Sequence, residues 1–362
     1  MSAQSGDMRG KGEGPDQAEA ARILALEMGW GQGGAVRKPG HDRLASPGHG
    51  MQAQQFLDSA RAAAACLFEP GRSVGARLEA AVAATQRVAG CNTNLGILLL
   101  CAPLGCALQL AATPQAAPHA LPDAPGCAGA VAAWGGQARG TQANGTVGFS
   151  EAVLRPAVLQ VLDTLDLDDA AAAYRAIALA NPGGLGQADA EDVRRPPSIG
   201  LRAAMSLAAG RDLIAAQYAN GFEQVFALGL SAARAPAATH AERVLRVYLT
   251  WLATYPDSHV VRKHGAAAAA QLRKEARHWW LRLDATGDTA AGEDGAGHTA
   301  LAVHPDAKGS PASATHSRMA DALAAWDEDL KARGLNPGTS ADLTVCTLFL
   351  AAALAPGLMG ET

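Results

Sequence analysis

The chain has 362 residues, 49% of them hydrophobic, enough to bury a sizeable core as one large helical unit or as two domains. Its 30 basic and 34 acidic residues leave a net charge of −4 with no long basic block, which argues against a nucleic-acid partner. Charged residues make up only 18% of the chain because alanine and leucine dominate it, a compositional bias rather than a membrane signature.

The first 15 residues are polar, lack the apolar run of a secretory signal and are expected to form a disordered tail. QAEAARILALEMG (17–29) reads as a first helix with Glu27 near its exit. The glycine- and proline-rich WGQGGAVRKPGH follows; it holds Lys38, and RKPGHDR and SPGHGM place His41, Asp42 and His49 in turns. Helices are expected over 51–67 and 74–89, then CNTNLG (91–96) breaks the pattern. LGILLLCAPLGCALQLAA (95–112) is the most membrane-like stretch, but Pro103, two glycines and Gln109 make it a buried helical segment instead of a span.

Residues 113–148 lack periodicity and read as a long excursion. Helical character returns at 151–162 through Leu154, Val158, Val161 and Leu162, and 181–198 forms another large loop. Helices should cover 199–231, with breaks near Gly210 and Asn220-Gly221, and 239–253, where Val244, Tyr248, Trp251 and Leu252 share a face. PDSHVVRKHG (256–265) is expected as a loop before the AAAAAQLRKEARHWW helix, and 284–314 as an exposed insertion. Met319, Leu323, Trp326 and Leu330 form one helical face that Gly334 terminates; NPGTSADL (336–343) then opens a final apolar helix. The expected fold is all-α: a multi-helix catalytic domain over 16–354 with long loops, and a short tail at 355–362. The six cysteines contain no CxxC pair, so packed, reduced thiols in a cytoplasmic protein are the simplest reading.

Three segments can carry chemistry. In CNTNLG, Asn92, Thr93 and Asn94 can cap a helix, or the exposed amides can receive phosphate oxygens. In DSHVVRKHG, Asp257 can bind Mg²⁺ or a sugar hydroxyl, Ser258 and His259 can orient oxygens, and Arg262 and Lys263 can neutralise phosphate as a planar fork and a compact cation. His264 can donate a proton or simply anchor the segment. In NPGTSADL, Thr339 or Ser340 is a candidate cap, and Asp342 falls in the first turn, where it could meet a metal-bound polyphosphate. Glu27 is either a metal-facing carboxylate or an ordinary cap, His49 an acid or a structural histidine, and Asp212 a pocket residue or part of a charged face. No Walker loop, HExxH or serine elbow is present.

Taken together, KPGHDR, SPGHGMQAQQFLDSA, AGCNTNLGIL, DSHVVRKHG and NPGTSADLTV resemble the triphosphoribosyl-dephospho-CoA synthase family, in order, over most of residues 20–354. The resemblance implies a mainly helical enzyme. It would transfer the triphosphoribosyl part of ATP to a hydroxyl of dephospho-CoA and release adenine. It also carries over Glu27, Lys38, Asn92, Thr93, Asn94, Asp257, Arg262, Gly265, Gly338, Ser340, Ala341 and Asp342 as site positions. On this reading the NTNLG amides, Lys38, Arg262 and Lys263 hold the phosphates, and Glu27, Asp257 and Asp342 organise Mg²⁺. Proton transfer falls to His49 or His264. The chain departs from the family at three places: NTHKG is NTNLG, SHxDM is GHGM at 48–51, and a DTN-like entry is Asp257-Ser258-His259. Two alternatives stay open at this level. One is ribosyl-phosphate transfer to another cofactor precursor, such as a pterin; the other is a helical small-molecule-binding or interaction protein without catalysis.

Overall fold

The computed structural model describes residues 38–40, 53–112, 139–141, 147–183, 185–291 and 311–355. The expected first helix, with Glu27, and the turns holding His41, Asp42 and His49 lie outside the described residues.

The all-α expectation holds. Helices α1 (Ala53–Leu67) and α2 (Val74–Ala89) pack together, and α2 also packs on α5 (Leu167–Ala180). Helix α3 (Leu95–Ala112) packs on α4 (Glu151–Asp163), α6 (Leu201–Ala208) packs on α7 (Leu213–Asn220), and a π-helical turn at Val225–Gly229 leads into α8 (Leu230–Arg234). Next come α9 (His240–Thr254), α10 (Ser258–His264), α11 (Ala266–Ala291), α12 (Pro311–Ala332) and α13 (Gly338–Leu354).

Several boundaries differ from the sequence reading. PDSHVVRKHG is not a loop: Asp257 caps α10, and Gly265 (φ 85°) ends it. Helix α11 runs on to Ala291, into the stretch expected to be an insertion. The 113–148 excursion contains strand β1 (Arg139–Thr141), which pairs antiparallel with β2 (Val147–Phe149). Helix α5, which apolar periodicity did not single out, begins in a capping box made by Asp166 and Asp169.

Helices α3 and α13 are apolar on every side, and that places them at the centre. Helix α3 has a mean hydropathy of 2.1 over 18 residues, and 72% of it is buried inside the protein, as expected of a core helix. It packs on α13, which in turn packs on α9 and α8. Gly229 allows that approach: a Cβ there would lie 2.6 Å from Thr347 Oγ1, whose hydroxyl oxygen also accepts from Trp251 Nε1 at 3.1 Å. Tyr248, Leu252, Leu272, Trp326 and Leu330 build a second apolar cluster among α9, α11 and α12.

Pro103 sits in the middle of α3 and has no N–H to offer the carbonyl of Leu99 one turn earlier. Tyr218 of α7 fills that vacancy, its hydroxyl donating to Leu99 O at 2.6 Å. The deletion thus becomes an inter-helix tie, and burial pushes the Tyr218 phenol above its ordinary range. Tyr218→Phe keeps the ring but strands a buried carbonyl, so it should cost ~1–3 kcal/mol in equilibrium denaturation. A loss below a few tenths of a kcal/mol would show that the bond contributes nothing.

Candidate active site

The site is assembled where α3, α10 and α13 begin. Asp257, fully buried, organises two of these starts. Its Oδ1 accepts the His259 and Val260 amides, each at 3.0 Å, and caps α10. Its Oδ2 accepts the Ser340 amide at 2.7 Å and the Ser340 hydroxyl at 2.8 Å, from the first turn of α13. Four donors therefore fill the coordination positions of one carboxylate. Burial raises the Asp257 pKa, and these hydrogen bonds oppose the rise. Thr339 and Ser340 were candidate caps of the final helix; instead that helix follows Pro337 with no side-chain cap, and Ser340 is committed to Asp257. Ser258 continues the linkage by accepting the Leu213 amide of α7 at 2.9 Å.

Asp342, one turn into α13, lies against the first turn of α3. A Cβ on Gly96 would be 2.0 Å from Asp342 Oδ2, so only glycine lets the carboxylate rest there. Asp342 is half-buried and opens onto the cavity. Burial, then the neighbouring Asp257, drive its pKa well above the carboxylate range, while Lys38 and Arg262 pull it back.

Lys38 is held beneath this group by the KPG turn. The Tyr248 hydroxyl donates to Pro39 O at 2.7 Å, the Gly40 amide donates to buried Asp327 at 2.9 Å, and Gly40 takes φ 86° beside the Leu335 carbonyl. The Lys38 side chain is 2% exposed, and among the described residues its Nζ has no hydrogen-bond partner. Burial lowers its pKa from 10.5 to about 7, with Asp342 acting to keep it higher.

Two lobes of one depression meet at Asp342. The first, about 820 Å³, is lined by CNTNLG residues Asn92 to Gly96, by Asn181, His259, Lys263 and Asn336, and by Gly338 at the start of α13. Asn92 Oδ1 accepts the Leu95 amide at 3.1 Å, so one of the expected caps is real; Asn94 Oδ1 instead accepts from the Thr85 hydroxyl at 3.0 Å. Among the described residues, Asn94 Nδ2 and Asn336 Oδ1 are buried with no hydrogen-bond partner, one a donor and the other an acceptor. The second lobe, about 420 Å³, is mainly apolar and shares Asn92, Gly96, Gly183, His259 and Asp342 with the first.

The first lobe thus brings together Asn92, Thr93, Asn94, Lys263 and Asp342, while buried Lys38 lines neither lobe and acts on Asp342 through its charge. Arg262 lines the second lobe, 3.5 Å from Asp212, whose Oδ1 caps α7. His264 is exposed at the far end of α10 and lines neither lobe. His259, read from the sequence only as an oxygen-orienting group, stands on the shared wall. A Cβ on Gly338 would sit 2.6 Å from its Nδ1, so glycine makes room for the ring. Asn181 and Asn336 were not singled out, because isolated asparagines beside Pro-Gly turns look like ordinary turn residues. Among the described residues no group of three or more His, Cys, Asp or Glu is placed to hold a metal ion.

Helix starts, an ammonium group and one half-buried carboxylate on a divided cavity define an all-helical enzyme suited to a phosphorylated substrate. The comparisons make this specific. A family model described as ATP:dephospho-CoA triphosphoribosyl transferase (CitG) matches residues 34–359, and the chain belongs to that family. It is therefore a transferase that moves the triphosphoribosyl group of ATP to dephospho-CoA. Among solved structures it is similar to a crystal structure from Archaeoglobus fulgidus, provisionally assigned as a triphosphoribosyl-dephospho-CoA synthase. That match has 21% identity, a TM-score of 0.52, and covers 83% of this chain and 99% of the other. No curated protein matches the chain.

Alanine at position 96 would normally favour a helix over glycine by ~1 kcal/mol. Here its methyl group must displace Asp342. Gly96→Ala should lower kcat/KM by at least about tenfold without unfolding the protein, as steady-state kinetics and thermal melting would show. Full turnover in a stable variant would remove Asp342 from the reaction.

Proposed function

We propose that the larger lobe holds the triphosphoribosyl group of ATP and that Asp342 and His259 stand at the reacting carbon. The observation that carries this reading is the convergence of the first turns of α3 and α13 with Lys263 on one polar cavity, where Asn94 Nδ2 and Asn336 Oδ1 have no hydrogen-bond partner among the described residues. Helix amides and an ammonium group suit phosphate oxygens. Asn94 Nδ2 suits a further phosphate oxygen, and Asn336 Oδ1 suits a ribose hydroxyl.

The acceptor hydroxyl attacks the anomeric carbon while the bond from that carbon to the adenine nitrogen breaks. The bonding pair leaves with adenine, and the hydroxyl proton passes to His259. Asp342 faces the positive charge that develops on the sugar. Attack opposite the leaving base inverts the β-linked donor to an α-linked product.

Mg²⁺, when bound, would neutralise the donor's phosphate oxygens. Among the described residues Asp342 is the carboxylate that lines the first lobe and so the candidate to hold it, and Glu27 remains a candidate by sequence. This fits a cation that takes one or two carboxylates and draws its other ligands from phosphate and water. Asp257, with all four positions occupied, acts in this reading as a positioning residue and not as a metal ligand.

One observation favours a second reading of the substrates. The His and Lys of an NTHKG loop are Asn94 and Leu95 here, both buried, so the first turn of α3 lacks a cation. Fewer cations favour a donor with a shorter phosphate tail, or another hydroxyl-bearing precursor such as a pterin. Purified protein with Mg²⁺, ATP and dephospho-CoA should yield adenine and triphosphoribosylated acceptor in equal amounts by mass spectrometry. Coupled product only from phosphoribosyl pyrophosphate would favour the second reading. Adenine without modified acceptor would remove transfer to dephospho-CoA.

Lys38 supplies an independent check. With a pKa of about 7 it is mostly neutral at pH 8, and the negative charge of a bound polyphosphate raises that pKa again. Donor binding at pH 8 should therefore take up a proton, and affinity should fall as pH rises above 7. Calorimetry of triphosphate binding in buffers of different ionisation heat should show the uptake in the wild type and its loss in Lys38→Met. Buffer-independent heats in the wild type would exclude Lys38 from donor binding.

A further inference from the structure

We infer that the second, 420 Å³ lobe is a binding pocket for an adenine ring, an assignment that rests on the transferase reading above. Its size lies within the ~300–1,000 Å³ of small-molecule pockets. Its walls are unlike those of the first lobe. Ile177, Leu185, Met205, Ala208 and Ile214 supply apolar surface, and Arg211, Asp212 and Arg262 add charged groups to it. Apolar walls would strip water from a phosphate chain without returning hydrogen bonds, so the triphosphate is excluded from them. A flat heteroaromatic ring gains from the same walls and keeps a polar edge for the charged groups.

The position of the lobe adds a second argument. It joins the phosphate lobe across Gly96, His259 and Asp342, so a sugar carbon seated at Asp342 would have its phosphates on one side and its ring substituent on the other. Asp212 Oδ1 is committed to the Ile214 and Ala215 amides, at 2.9 and 3.1 Å, and its Oδ2 lies 3.5 Å from Arg262. Asp212 and, through it, Arg262 are thereby tied to the start of α7. The ring has two sources, because adenine is the leaving base of ATP and also part of dephospho-CoA.

Free adenine and inorganic triphosphate are the probes, titrated separately into the full-length protein by calorimetry. Ala208→Phe fills the lobe from the partly exposed end of α6; Met205→Lys places a charge on its wall and serves as the second variant. The expected result is that adenine affinity falls at least about tenfold in both, while triphosphate affinity stays within about twofold. No adenine binding by the wild type, or adenine binding unchanged in both variants, overturns the assignment. Failure of the wild type to bind triphosphate would instead strike the transferase reading, which separates the two failures. Competition identifies the source of the ring: displacement of adenine by ATP alone marks a leaving-base pocket, and displacement by dephospho-CoA alone marks an acceptor pocket. Displacement by neither overturns the proposal.

Discussion

Asp257 is where the architecture and the site depend on the same atoms. A buried carboxylate is costly unless its lone pairs are occupied, and here two helix starts occupy them. Because the amides of His259 and Val260 meet one oxygen and Ser340 meets the other, α10 and α13 cannot shift independently without stranding donors or charge. That constraint fixes His259 and Asp342, which project from the two helices so joined. Asp257, one of three carboxylates that the sequence offers for a metal, spends its oxygens on holding these two helix starts in register.

The electrostatics follow from this frame. Asp342 and Lys38 feel each other's charge in a poorly solvated place, and burial pushes each toward its neutral form, the acid upward and the amine downward. Among the described residues, Lys38 Nζ has no hydrogen-bond partner that would settle its charge. Groups in this condition respond strongly to an incoming polyanion, because the ligand's charge is screened little where water is scarce. The KPG turn is built to hold the amine there: Tyr248 and Asp327 clamp the turn from α9 and α12, far from Lys38 in sequence. Gly40 takes the backbone angle that a side chain would resist.

Much of the helical plan was legible because burial writes itself into periodicity. The face of Leu323, Trp326 and Leu330 and the all-apolar run at 95–112 both landed where the pattern put them. The residues that form the site pattern were legible too, although their partners were not. DSHVVRKHG reads as a charged loop because a seven-residue helix has too few turns to show an apolar stripe, and its cap bonds lie at the edge of noticeable signal. Ser340 looked like a cap because Ser near a helix start is one in most contexts; its hydroxyl was claimed by Asp257, 83 positions away. His259 was passed over for His264 since nothing local distinguishes them. Only the fold shows that His259 lines the cavity and that His264, unlike its neighbour Lys263, lines neither lobe.

The same reasoning explains how a phosphate site can survive the loss of family cations. A histidine and a lysine at the start of α3 would deliver charge directly to the ligand, whereas Asn94 and Leu95 turn inward to Thr85 and the core. What remains at that helix end is backbone: amides whose orientation the helix itself sets, free of side-chain entropy cost. The mobile charge comes from Lys263 on α10, and Gly183 approaches its side chain closely enough that a Cβ would lie 3.0 Å from Cε. Positioning has thus passed from flexible side chains to helix ends locked by Asp257. A site so arranged gains its geometric definition from the core.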